Sequence, residues 1–254
     1  MRSRGTPQSP PRRGSFVPLS AGVSHKKGAV SVPKNMNELV AKLKLAITQK
    51  RLTNEEINKT IDSLRELGHN TYDRNKFPPL EDTESFDVSI GSTPRTLAEA
   101  LLWKLGKWPT YKTFVENYKT ENLEVSKKGG VVFSAFAKHL QNNDFPIYDQ
   151  HAIRSIWAIC ELEEADQDLC KSLLLDTSGA WKQAGSGDDG SCYKLFVDQV
   201  ESVCKDNNVS HRDLDMLLMP LGQAIKKETR TKKKAKDSKS DFERFSELCR
   251  STNG

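Results

Sequence analysis

Nowhere does the chain carry an apolar run approaching the roughly 20 residues that a bilayer-spanning helix requires, and it is polar from Met1 onward, without the apolar segment of a secretory signal. These absences predict an intracellular protein, nuclear or cytoplasmic, with no membrane partner. Cysteine is scarce. The five residues Cys160, Cys170, Cys192, Cys204 and Cys249 are odd in number and form no C-x-x-C pair, which excludes a disulfide framework and zinc-site spacing and leaves reduced thiols. P-loop, nucleophile-elbow, H-E-x-x-H and Rossmann glycine patterns are all missing. No cofactor and no metal is expected on these grounds. Apolar residues make up 36% of the chain against 29% charged, so a good part of it is not expected to pack.

Charge is present and unevenly placed. The net charge is +5, and the first 33 residues are rich in Arg, Lys, Pro, Ser and Gly and contain no Asp or Glu. Such a segment buries too little apolar surface to offset its ordering entropy, which predicts a disordered basic tail over 1–33. A second basic run, Lys226 to Lys236, reads KKETRTKKKAK. Phosphate contact, a nuclear-import signal and a solvated linker are all open readings of it. Together the basic segments favour a nucleic-acid setting.

Folding is expected to begin near Asn35, where Met36, Leu39, Leu43 and Ala46 fall at helical spacing. Thr53-Asn54-Glu55-Glu56 fits a capping box, Ile57, Ile61 and Leu64 form the stripe behind it, and Gly68 stops the helix. A helical hairpin over 35–68 and a loop over 69–93, marked by Pro78-Pro79, follow. From 94 to 226 the pattern stays helical, with stripes through Leu97, Ala98, Leu101, Leu102 and Leu105, through Val132, Phe133, Phe136, Ala137 and Leu140, through Ile153, Ile156, Trp157 and Cys160, through Phe196, Val200 and Val203, and through Leu214, Leu217, Leu218 and Leu221. Trp181 to Ser191 reads as a surface loop, whose Asp188 and Asp189 either attract a cation or are simply solvated. Residues 227–254 read as a basic linker and a short C-terminal helix. With no convincing period-two alternation, the expected fold is all-α: a helical bundle with disordered basic tails.

The stretch richest in chemistry is Phe145-Pro146-Ile147-Tyr148-Asp149-Gln150-His151-Ala152-Ile153-Arg154. Pro146 enforces an extended entry, and helical spacing starts after Asp149, which places Asp149 at an N-cap. There a carboxylate accepts backbone N–H bonds at the positive end of the helix dipole, and both effects favour its ionised form. His151 and Arg154, three apart, are expected on one face, away from the inward Ile153/Trp157 stripe. Trp103, Trp108, Tyr111 and Phe114 read as core, with a base-stacking platform as the alternative.

Pro-Ile-Tyr-Asp-Gln-His-Ala-Ile-Arg resembles the P-V-D-T-H-V-x-R segment of the helix-hairpin-helix DNA glycosylases, with the D-x-H-x-x-R core matched at Asp149, His151 and Arg154. Upstream, Lys127-Lys128-Gly129-Gly130-Val131-Val132 sits where that superfamily has its Gly-rich hairpin. Downstream, Leu217-Leu218-Met219-Pro220-Leu221-Gly222 is similar to its late L-M-D-L-G helix. The resemblance, to 8-oxoguanine-glycosylase-like members in particular, covers about 94–226, and the four-cysteine iron–sulfur signature of some members is absent. It implies an all-helical enzyme of base-excision repair acting on double-stranded DNA. In it the amides around Lys127, Gly129 and Gly130 grip phosphate, a damaged base is flipped out, and Asp149 stabilises the cationic sugar as the base departs. Lys128, or Lys127 beside it, is the implied nucleophile of a lyase-competent member. His151 and Arg154 are implied as supporting groups for helix geometry or phosphate contact.

Plainer readings stand alongside. Asp149 as a helix cap alone, and Lys127 and Lys128 as solvated or phosphate-contacting loop lysines, need no enzyme. A non-catalytic helical module that binds nucleic acid or protein is the alternative function, with the 35–68 hairpin or the tails as the protein contact. Within that hairpin, Ile57-Asn58-Lys59-Thr60-Ile61-Asp62-Ser63-Leu64-Arg65 resembles the I-G-K-T-V-N-x-L-R helix of transcription-elongation-factor N-terminal domains, with Asn58 in place of the glycine.

Overall fold

The structure is a computed structural model. It describes residues 33, 35–71, 93–120, 124–125, 130–142, 144–182, 190–230 and 238–250. The basic tail, most of the 69–93 loop, Lys127, Lys128, Gly129, Asp188 and Asp189 lie outside the described residues. No strand occurs among the described residues, and the fold is all-α.

The hairpin forms as the caps dictate. Helix α1 (Met36–Thr48) starts where the Asn35 side chain accepts from the Glu38 amide. Helix α2 (Asn54–Glu66) carries the full reciprocal box, with the Thr53 side chain accepting from Glu56 N and the Glu56 carboxylate from Thr53 N. Gly68, at φ 76°, follows its C-cap in the left-handed region that an L side chain rarely adopts. Leu39, Val40, Leu43, Ile57, Ile61 and Leu64 are buried, and the pair belongs to the main core: α1 packs on α6, α9 and α10, and α2 on α9.

At the centre lies α6 (Gln150–Ile159), buried at every position from Ala152 onward. Helix α9 (His211–Thr229) crosses it in the most extensive helix pairing of the fold. Gly222 makes that crossing possible, because a Cβ there would stand 1.9 Å from the His151 carbonyl oxygen. Pro220 interrupts the backbone ladder of α9, and α6 reaches into this stretch: Ser155 Oγ donates to the Leu218 carbonyl. Around the crossing, Ile153, Ile156, Leu214, Leu217, Leu218, Leu221 and Ile225 are buried. Each such side chain contributes about 1.5–3 kcal/mol of apolar transfer energy.

Helices α7 (Glu164–Leu174) and α8 (Ser191–Asn207) close one side, and α10 (Asp241–Arg250) packs on α1 and α9. The loop read from Trp181 to Ser191 needs correction at its start. Trp181 is buried and pairs with Leu175 in an isolated antiparallel bridge. Its amide donates to Asp241 Oδ2 and its indole Nε1 to Thr229 Oγ1. A large aromatic with satisfied polar groups is worth more inside than a composition-based loop assignment allows.

Helices α3 (Leu97–Lys104), α4 (Trp108–Lys119) and α5 (Val131–Gln141) form a side layer in which α3 packs on α4 and α4 on α5. Trp108 is buried and stacks on Tyr111, and Phe114 stacks on Phe136, while Trp103 is exposed. The Leu97, Leu101 and Leu105 stripe points outward instead of inward.

Candidate functional site

The chain reaches Asp149 through a loop fastened on three sides. His139 Nδ1 donates to the Phe145 carbonyl at 2.6 Å, and Lys138 sits over the Phe145 ring. Tyr148 is buried against Tyr193 and Phe196. From α9, Asp215 Oδ2 accepts the Ile147 amide at 2.9 Å. This loop delivers Asp149 to the N-cap of α6 in an extended conformation, as the sequence predicted.

The cap is asymmetric. Asp149 Oδ1 accepts from both His151 N and Ala152 N, each at 2.7 Å. Both amides fall on one oxygen, leaving Oδ2 of this half-buried carboxylate free of them. Asp215 faces the same loop. Burial pushes its carboxyl up to about 7 and the Asp149 charge adds to the rise, against the lowering effect of the Ile147 amide. Two neighbouring carboxyl groups therefore sit in different settings, one capping a helix and one able to hold a proton near neutral pH.

His151 lies beside the cap and Arg154 beneath it. Arg154 Nη1 is 3.0 Å from His151 Nδ1 and also donates to the Gly222 carbonyl at 3.3 Å. A guanidinium only donates, so Nδ1 accepts and the imidazole proton sits on Nε2. Burial lowers the His151 pKa, with Arg154 and Lys226 reinforcing and Asp149 opposing the shift. Half-buried Lys226 is likewise lowered by burial and by the neighbouring Arg154 and Arg230.

Arg154 corrects the sequence reading. It is fully buried, its guanidinium lies over the Trp181 ring at 4.4 Å from the centroid, and its Nε and Nη2 have no hydrogen-bond partner. Burial brings its pKa down to about 10. In this position it braces the α6/α9 crossing, donating to the Gly222 carbonyl of α9. The outward face expected for Arg154 is not found, because α6 is buried at every position from Ala152 to Ile159 and its polar residues turn into the core, while His151 before them is half-buried.

Gly130 is the N-cap of α5 at φ 92°, a backbone conformation suited to glycine. The rest of the expected hairpin, Lys127, Lys128 and Gly129, lies outside the described residues. Asp215 has no role in the sequence reading, and Lys226 enters it only as the start of the second basic run. The signal for Asp215 was an acid lodged between Leu214, Leu217 and Leu218 in a strongly apolar helix stripe. Compared with known proteins, the chain matches no family model, no curated protein and no solved structure.

Among the described residues no group of three or more His, Cys, Asp or Glu side chains converges as metal ligands, and no helix is long and apolar enough to cross a membrane. Four of the thiols are poor nucleophiles: burial pushes Cys160, Cys204 and Cys249 up to about 12 and Cys170 higher still. What the cluster offers is a helix-capping carboxylate, with both cap amides on one oxygen, beside a proton-holding carboxyl group. Acid–base or charge-stabilising chemistry is within its means.

Proposed function

We propose that the chain is a DNA-repair glycosylase that flips a damaged base out of double-stranded DNA and removes it, with Asp149 as the group that stabilises the departing sugar. The observation that carries this reading is the asymmetric cap of α6. One Asp149 oxygen holds the carboxylate on two amides, and the other, which takes neither, is the one proposed to meet a developing cation. The resemblance of the segment around Asp149, His151 and Arg154 to helix-hairpin-helix glycosylases supplies the substrate class.

On this reading the N-glycosidic bond breaks, its electron pair leaves with the base, and positive charge appears at C1′ close to Asp149. Water then adds to C1′ and releases a proton. In a lyase-competent variant Lys128 adds instead and goes on to a Schiff base. Gly130 and the lysines before it contact phosphate, His151 orients the start of α6, and Arg154 acts from inside by bracing that helix. The basic runs place such an enzyme with DNA, in the nucleus or the cytoplasm.

A second reading, a non-catalytic nucleic-acid- or protein-binding module, is favoured by the burial of Arg154, which withdraws one of the three matched motif residues from the surface. Incubation of the pure protein with duplexes bearing a panel of base lesions, with and without borohydride, separates the two. Base release supports the glycosylase, and a borohydride-trapped complex adds the lysine. Duplex binding that weakens steeply with salt, with no lesion processed, gives the binding module the lead.

A further inference from the structure

Helix α3 (Leu97–Lys104) forms without a buried residue. Its N-terminal end is fixed by a capping box in which the Thr96 side chain accepts from Glu99 N and the Glu99 carboxylate from Thr96 N. Yet none of its residues is buried. Leu97, Leu101 and Leu105, at i, i+4 and i+8, are 89%, 58% and 61% exposed, and Trp103 is 58% exposed. Single exposed leucines are ordinary; three in one helical stripe on a preformed helix form a patch that water solvates poorly.

The charge of the α3–α4 segment has one prevailing sign. Between positions 93 and 120 stand Arg95, Lys104, Lys107, Lys112 and Lys119 against Glu99 and Glu116, five positive charges less two negative, or +3. Glu99 is already engaged in the capping box. Lys104 follows Leu101 and precedes Leu105, so positive charge borders the apolar line directly. None of the four lysines makes an ion pair among the described residues.

We infer that the Leu97–Leu101–Leu105 face of α3 is a docking surface for an acidic amphipathic helix of a partner protein. Leucines at helical spacing match a partner helix with apolar residues at i, i+3, i+4 and i+7, and the lysine border matches Asp and Glu flanking that stripe. A second copy of this chain is the poorer occupant, because it would bring lysine against lysine. A DNA backbone would answer the charge and leave the leucines in water. The surface is on a different helix from the one that Asp149 caps, and the inference does not rest on the glycosylase reading.

Selection of a displayed random-peptide library on the full chain, with counter-selection on the Leu101→Ser/Leu105→Ser variant, tests this. These side chains are exposed, so an unchanged melting temperature certifies the variant. The expected outcome is enriched peptides with apolar residues at helical spacing and Asp or Glu between them, bound about tenfold more weakly by the leucine variant and by Lys104→Glu/Lys107→Glu. Enrichment of basic or patternless peptides, or peptides held equally by the leucine variant, would overturn it. So would failure to enrich any peptide, or leucine-dependent binding to phosphatidylserine vesicles or to lesion-free duplex DNA in place of acidic peptides.

Discussion

Gly222 of α9 and His151 of α6 are in direct backbone contact: a Cβ on residue 222 would stand 1.9 Å from the His151 carbonyl oxygen and 2.6 Å from its carbon. Both atoms are backbone, so neither can swing aside, and the helices must separate to admit any side chain. Gly222→Ala is therefore expected to lose about 3 kcal/mol or more of stability, at the upper end of overpacking costs. Urea denaturation checks this, and a loss below about 1 kcal/mol would show that the crossing is looser than described.

Asp215 gives stability a recognisable pH dependence. Its folded pKa, about 7, lies above the roughly 3.9 of an unfolded aspartate, so the native state keeps a proton that the unfolded chain releases. This contribution is present in full below the unfolded value and is lost as pH rises through 7. Asn at 215 still accepts the Ile147 amide without carrying charge. Asp215→Asn is expected to match the wild type near pH 4 and to exceed it by about 1–3 kcal/mol at pH 8. Equal urea midpoints at both pH values would contradict the assignment.

His151 shifts in the other direction. Its folded pKa is lowered chiefly by burial, so it contributes stability above the unfolded value of about 6.5 that disappears as pH falls below it. His151→Gln is expected to flatten the loss of stability between neutral and mildly acidic pH. The check is a series of thermal melts across that range, and an unaltered slope would count against burial as the cause.

Arg154 separates a structural role from a phosphate-binding one. With Nε and Nη2 unpartnered and the guanidinium on Trp181, Arg154→Met keeps the packing volume and removes a buried charge. The expected cost is under about 1 kcal/mol, whereas Arg154→Ala leaves a void and is expected to lose about 3 kcal/mol. Duplex binding by Arg154→Met should keep the wild-type salt dependence. A shallower salt dependence would mean that this side chain meets phosphate after all.

The sequence revealed the local devices of this fold and concealed the tertiary ones. Thr53 and Glu56, Asp149 after Pro146, and Gly68 could be placed because a cap is determined by a few adjacent residues. Whether a stripe faces a core depends on distant neighbours: Leu97, Leu101 and Leu105 repeat as regularly as Leu214, Leu218 and Leu221, yet the first set is exposed and the second buried. Helix α7 was missed since only Cys170 and Leu174 are buried in it. At the site, Asp149 was legible as a cap, while its neighbour Asp215 came from 66 positions along the chain and Arg154 was hidden by a helix with no exposed face.

The most direct test of the account is single-turnover base release by the wild type and by Asp149→Asn on whichever lesion duplex the wild type processes. Asparagine caps helices about as well as aspartate, so the variant should melt within about 0.5 kcal/mol of the wild type. The account predicts base release by the wild type and a fall of about a hundredfold or more in the folded variant. Undiminished release by Asp149→Asn, or no release by the wild type from any lesion, would contradict it and leave Asp149 as the cap of α6.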